Sequence, residues 1–247
     1  MKGKVYFVGA GPGDPELLTL RAKRVLEQAD VIVFADSLVN PEVLKFAKKG
    51  AEVYGSSSLS LEEIAKIVLG AIERGKLVAR LQSGDPSVYG ALWEQTKVLE
   101  ENGVEYEIVP GVSSLFAACA SLKVELTVPG ISQTVILSRR AGNAPVPRSE
   151  DLRSLASHRA TMAIFLSISQ IEEVVEELLE GGYPPETPVA VVYKASWEDE
   201  KVIEGNLEEV VPKVRESGIE RQALILVGEA LKPGEKGKRS KLYGRKR

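Results

Sequence analysis

The chain has 247 residues, 44% hydrophobic and 27% charged, with a net charge of −3, an ordinary globular composition sufficient for one large domain or two small ones. One cysteine, Cys119, and one histidine, His158, exclude an intrachain disulfide and argue against a Cys/His zinc site; no metal-ligand set is visible. No apolar run reaches the roughly 20 residues of a membrane helix, and the N-terminus enters a strand directly, so a cytoplasmic protein is expected.

Strand-like runs at Val5–Gly9, Val31–Phe34, Leu77–Leu81 and Tyr106–Val109 alternate with amphipathic helical patterns. In the first helical pattern Leu18, Ala22, Val25, Leu26 and Ala29 share one face. This order predicts a parallel sheet with helices on its faces. The first strand opens into Gly9-Ala10-Gly11-Pro12-Gly13-Asp14-Pro15. Gly9 and Gly11 fit a dinucleotide fingerprint, and Asp36 ends the next strand where a ribose-binding carboxylate would stand. Two prolines, however, remove backbone donors, and Asp14 occupies the third glycine position, where it repels phosphate. An NAD-dependent oxidoreductase is therefore the weaker alternative. Asp14-Pro15 is instead a helix start, with Asp as cap and Pro at the first position.

Two more strands open the same way, at Gly84-Asp85-Pro86 and at Pro110-Gly111 with Ser113 or Ser114 as a cap. Three glycine turns at the carboxyl ends of strands predict a lined pocket. Its hydroxyls, carboxylates and lack of basic residues suit a zwitterionic ligand without phosphate. Cys119 lies in the apolar "LFAACASL" and reads as a small buried thiol, His158 in a polar segment as a surface residue.

Pro129-Gly130 breaks the pattern, and a domain boundary is placed there. Residues 131–231 follow as a second α/β domain, with strands in "TVILSRR", "TMAIFLS", "TPVAVVYKAS" and "QALILVG" and helices near 170–180 and 207–217. Residues 232–247 hold eight Lys/Arg and one Glu and read as a flexible basic tail. The remaining body carries a net −10, which argues against a nucleic-acid groove.

"VYFVGAGPGDPELLTLRAKRVLEQADVIVFADSLV", "RLQSGDPSVYG" and "VPGVSSLFAACASLKVELTVPG" together resemble the tetrapyrrole (corrin/porphyrin) methyltransferase family, over residues 1 to about 230. The resemblance implies a parallel-sheet N-terminal domain, a mixed-sheet C-terminal domain, a cleft between them and a homodimer. It implies S-adenosylmethionine as methyl donor and a tetrapyrrole substrate, with no nucleic-acid or membrane partner. "GISQTVILSRRAGNAPVPRSEDLRSLASHRATMAIFLS" and "TPVAVVYKASWEDEKVIEGNLEEV" are most similar to the branch that methylates carbon 11 of precorrin-4 or cobalt-precorrin-4 in cobalamin biosynthesis. Methylation of precorrin-2, precorrin-3 or uroporphyrinogen III stays open, and a non-catalytic tetrapyrrole carrier is a further alternative. Cofactor contacts implied at matching positions are Pro12, Ser83, Gly84, Asp85, Val88, Ser113, Ser114, Leu166, Tyr193, Ala195 and Ala223. Asp36 matches a proposed acid/base and is equally a strand-end turn residue. The substrate's carboxylates call for cations, for which Arg80, Arg139, Arg140 and Lys194 are candidates or else surface charges. Cobalt would arrive inside the substrate.

Overall fold

A computed structural model describes residues 3–142, 144–234 and 237–238. They divide into two compact units, one within Met1–Ala117 plus Ser196–Glu198, the other within Ala118–Ala195 and Asp199–Arg247.

The first unit follows the expected alternation. Its elements are β1 (Lys4–Gly9), α1 (Leu20–Gln28), β2 (Val31–Phe34), β3 (Glu52–Gly55), α2 (Leu61–Glu73), β4 (Leu77–Gln82), α3 (Leu92–Glu101) and β5 (Tyr106–Val109), after which α4 (Ser114–Leu122) begins. The sheet is parallel throughout, in the order β3-β2-β4-β1-β5. Strands in such a sheet are buried on both faces. Val8, Ile32, Ala79 and Leu81 face a core with Ala22, Val25 and Leu26 of α1. Val5, Phe7, Val31, Val33 and Val78 face the other, with Val68 of α2 and Leu99 of α3.

Local signals fix the helix starts. Ser60 and Glu63 form a reciprocal capping box on α2. Asp14 does cap, accepting from the Glu16 N–H at 2.8 Å with Pro15 at the first position, but it caps a single 3-10 turn, Pro15–Leu17. The helix proper begins at Leu20, where the Thr19 side chain accepts from the Ala22 N–H. The extended backbone of Leu18 separates the two.

The second unit contains β6 (Val135–Arg139), α5 (Leu152–Ala156), β7 (Thr161–Phe165), α6 (Ile171–Glu180), β8 (Pro188–Tyr193), β9 (Lys201–Asn206), α7 (Val210–Ser217) and β10 (Ala223–Val227). Its mixed sheet runs β6-β7-β10-β8-β9, with β6 and β7 parallel and the other pairs antiparallel. Met162, Ile164, Val191 and Ile225 pack with Leu178 of α6 and Val214 of α7. Strands β3 and β9 have no counterpart in the sequence reading. Both are edge strands, and three of four β3 residues are exposed, so no apolar alternation announces them. Of the basic tail, residues 235, 236 and 239–247 lie outside the described residues; the Lys238 N–H donates to the Pro129 carbonyl at 2.9 Å.

Candidate functional site

All five strands of the first sheet are parallel, so their carboxyl ends share one edge. The turns leaving the adjacent strands β4, β1 and β5 are locked together there. Gly11 and Gly84 exchange backbone hydrogen bonds of 3.3 and 2.8 Å, and the Ala10 N–H donates to the Gln82 carbonyl at 2.8 Å. A Cβ on Gly111 would lie 2.1 Å from the Gly84 carbonyl oxygen, and one on Gly9 would lie 2.5 Å from the Gly111 Cα. Only glycine permits these approaches. Gly84 has φ +63°, a second reason for glycine.

Asp85 ties the turns chemically. One carboxylate oxygen accepts from the Gly111 N–H at 2.8 Å, the other from the Ser87 N–H at 2.9 Å and from the Ser87 hydroxyl. Burial opposes its ionisation, yet these hydrogen bonds prevail and hold its pKa below the ordinary value. Ser113 caps the start of α4, accepting from the Leu115 N–H at 3.3 Å. A Cβ on Gly84 would stand 3.5 Å from the Ser113 Cα. Pro12, Ser83, Gly84, Asp85, Ser113 and Ser114 thus lie on one strand edge, and Val88 closes the Asp85 turn through its N–H.

The first turn keeps its backbone polar groups for itself. The Pro12 carbonyl accepts from the Trp197 indole N–H at 2.9 Å, and the Gly13 carbonyl from Asn40 at 3.0 Å. The Asp14 N–H donates to the Ser196 hydroxyl at 3.0 Å. A pyrophosphate clasp needs free N–H groups; here those of Ala10, Gly11 and Asp14 are already engaged, and Pro12 has none. The segments 9–14, 83–87 and 110–114 contain two aspartates and no Lys, Arg or His. This donor set fits the positive sulfonium of S-adenosylmethionine and does not fit a dinucleotide.

Asp36 follows β2 on the same edge. Its carboxylate accepts from the Ser57 N–H and the Ser57 hydroxyl, both at 2.7 Å. The Ser57 hydroxyl bond, then the backbone bond, lowers its pKa, so the group stands ionised. Gly55 leaves it room, since a Cβ there would approach the Asp36 carboxyl carbon to 2.8 Å.

In the second sheet β6, β7 and β8 end on the edge where β9 and β10 begin. That edge collects Arg139, Arg140, Leu166, Tyr193, Lys194, Ala195 and Ala223. Tyr193 pairs with Ala223, and Arg139 with Phe165. Leu166 is 66% exposed at φ +54°, while Ala195 is buried.

Arg80 shares the face of Val78 and is buried in the first unit's core, so it is not a surface charge. Its guanidinium donates to Gln95 at 2.8 Å and to the carbonyls of Val33 and Leu81. Burial pushes its pKa down to about 10, against the opposing pull of the Asp36 charge. Arg140 is ion-paired with Glu177 at 2.8 Å and Lys194 with Asp199 at 2.6 Å. Arg139 donates to the Ala144 and Pro145 carbonyls at 2.9 and 3.0 Å. These acceptors are neutral, and among the described residues no acid neutralises its charge. Trp197, Ser196 and Ser57 were missed by sequence reasoning; the tryptophan beside the "VYKAS" strand was the available signal. Among the described residues no three His, Cys, Asp or Glu gather as for a metal ion.

Comparison with known proteins decides the family. The model for Tetrapyrrole (Corrin/Porphyrin) Methylases matches residues 4–211. The chain belongs to the tetrapyrrole methylase family. Within the family, a cobalt-precorrin-4 C(11)-methyltransferase of Methanocaldococcus jannaschii is 57% identical over 230 residues, 93% of this chain and 89% of that protein. The X-ray structure of a cobalt precorrin-4 methyltransferase of cobalamin biosynthesis superposes with a TM-score of 0.90 at 46% identity, covering 93% of this chain and 96% of that one. A uroporphyrin-III C-methyltransferase from Thermus thermophilus, complexed with S-adenosylhomocysteine, gives a TM-score of 0.77 at 35% identity, covering 94% and 100%. The tetrapyrrole methylase fold expected from the sequence is therefore the fold of this chain.

Proposed function

We propose that this chain transfers a methyl group from S-adenosylmethionine to carbon 11 of cobalt-precorrin-4. The observation that carries this reading is the 57% identity, over 93% of the chain, to a relative named for that reaction. The cobalt form is favoured over precorrin-4 because both that relative and the solved structure at TM-score 0.90 are named for it.

When bound, the donor supplies an electrophilic methyl on a positive sulfonium. Pro12, Ser83, Gly84, Asp85, Ser113 and Ser114 would hold it at the turns of the first sheet, with Val88 beside its adenosine; Leu166 and Ala195 would cover the adenine, and Tyr193 and Ala223 are further candidates. The interlocked glycines make these turns rigid, and alignment of reactants contributes ~7–11 kcal/mol in well-oriented systems. The ionised Asp85 adds a negative field favourable to the sulfonium. Asp36, also ionised, accepts a proton from the substrate. Arg139 is the foremost candidate for a substrate carboxylate, because its charge is not paired with an acid; Arg140 and Lys194 are secondary.

A homodimer accompanies this reading, supported by the exposed Leu20, Trp93 and Phe116. A cytoplasmic location is supported by the single cysteine. No helix of the described residues is long and apolar enough to cross a membrane. The test supplies methyl-labelled S-adenosylmethionine with cobalt-precorrin-4 or precorrin-4 and locates the label by NMR. Label on carbon 11 supports the reading, and label on another carbon moves the enzyme to another ring position. No transfer to either substrate, with S-adenosylhomocysteine binding intact, refutes it.

A further inference from the structure

The Gly-Pro-Gly turn is completed by residues far from it in sequence. Ser196–Glu198 belong to the first compact unit although they connect β8 to β9. The chain reverses there through Lys194 and Ser196, non-glycine residues at φ +46° and +69°. Holding two such residues left-handed requires compensating contacts, and three lie on the turn. The Trp197 N–H bonds the Pro12 carbonyl, and the Ser196 hydroxyl takes the Asp14 N–H. The Trp197 indole also lies where a Gly13 side chain would go. A Cβ on Gly13 would fall 2.0 Å from the indole Cδ1 and 2.3 Å from Nε1. Gly13 is absent from the positive-φ residues, so space for the indole, and not backbone conformation, demands glycine there.

We propose that Trp197 is a positioning residue for the methyl-donor site: its indole fixes the carbonyl, and hence the ring, of Pro12. This rests on the reading that the Pro12 turn holds S-adenosylmethionine. Pro12 has no N–H, so the Trp197 bond to its carbonyl is the polar restraint on that residue, and the indole against Gly13 limits movement on the next. Trp197 acts through the turn and takes no part in the chemistry.

Trp197→Phe keeps an aromatic ring against Gly13 and removes the N–H. One ordinary hydrogen bond corresponds to a factor of about five, so KM for S-adenosylmethionine and Kd for S-adenosylhomocysteine rise by about three- to tenfold, with kcat at saturation nearly unchanged. Trp197→Ala raises both further. Gly13→Ala, which pushes the indole away, reproduces the Trp197→Ala affinity. In a Trp93→Phe background Trp197 is the sole tryptophan, and its emission changes on titration with S-adenosylhomocysteine, with a midpoint equal to the calorimetric Kd. A purely structural Trp197 would lower thermal stability without this split between KM and kcat. The proposal is overturned if folded Trp197→Phe and Trp197→Ala proteins bind S-adenosylhomocysteine as the wild type does. Gly84→Arg separates the two levels. If it abolishes binding while Trp197→Ala does not, only the role of Trp197 falls. If folded Gly84→Arg protein binds normally, the site reading itself falls.

Discussion

Gly111→Ala tests whether the interlocked turns are as close as described. The backbone of Gly111 is not in the left-handed region, so alanine meets no conformational objection there. The objection is space. The new methyl would sit 2.1 Å from the Gly84 carbonyl oxygen and 2.7 Å from the Gly9 Cα. Both neighbours are backbone and cannot rotate away. Relief to normal contact requires a shift of roughly 1 Å, enough to break the 2.8 Å bond from the Gly111 N–H to Asp85. Overpacking costs ~1–3 kcal/mol, and a hydrogen bond to a carboxylate contributes ~1.5–3 kcal/mol. The sum is ~2.5–6 kcal/mol, or on the order of 10 °C in melting temperature for a chain of this size. Where the turns open instead of the unit unfolding, the same energy appears as lost ligand affinity, at least ~60-fold. Calorimetric melting and titration with S-adenosylhomocysteine measure the two together. A variant that melts within about 2 °C of wild type and binds within about threefold refutes the close approach and the rigidity argued from it.

Asp36→Asn is expected to lower turnover at least about tenfold with S-adenosylhomocysteine affinity unchanged; wild-type turnover would leave Asp36 only its turn. Ser57→Ala removes the first of the bonds that lower the Asp36 pKa, so that pKa rises, which carboxyl NMR reads directly; if Asp36 is the proton acceptor, the acid limb of kcat/KM moves to higher pH with it. Arg80→Ala is expected to cost about 2–4 kcal/mol in denaturant unfolding, since it leaves a void and unpaired acceptors, with KM for the tetrapyrrole unchanged; a large KM increase at unchanged stability would return Arg80 to substrate binding. Asp30, Asp36 and Asp85 have folded pKa values below their unfolded ones, owing first to the Lys48 bond for Asp30, first to the Ser57 hydroxyl for Asp36, and to the Ser87 and Gly111 bonds that overcome burial at Asp85. Their contribution is present above the unfolded carboxylate pKa and disappears as pH falls through the folded values, so stability should decline below about pH 4. Urea melts showing a rise in that range would contradict it.

The parallel sheet was legible because its strands are continuous apolar runs and its turns carry glycines that the backbone needs. The same burial hid the place of Arg80. In a strand buried on both faces, alternation does not say which face a charged residue takes, and only the register with Val33 puts it in the core. Edge strands β3 and β9 are held by ladder hydrogen bonds with little burial, so nothing in their composition stood out. The partners of Arg140 and Pro12 are equally non-local facts: Glu177 is 37 residues from Arg140, and Trp197 is 185 from Pro12. No pattern of spacing predicts such pairs.

Backbone strain supplies a marker of the site independent of the glycines. Among the described residues, eight non-glycine residues have positive φ. Tyr89 and Ala91 follow β4, Leu166 follows β7, Lys194 and Ser196 follow β8, and Gln222 precedes β10. Six of the eight thus fall at the two strand edges that hold the candidate site residues. L-residues in that region are disfavoured by about 1–2 kcal/mol each, a cost that randomly placed loops would distribute over both ends of each sheet. Leu166 adds a second cost, since a large apolar side chain is held exposed at a strained backbone position. Hydration and conformation both oppose that arrangement. Under the proposed reading, the apolar face of the donor's adenine offsets both costs.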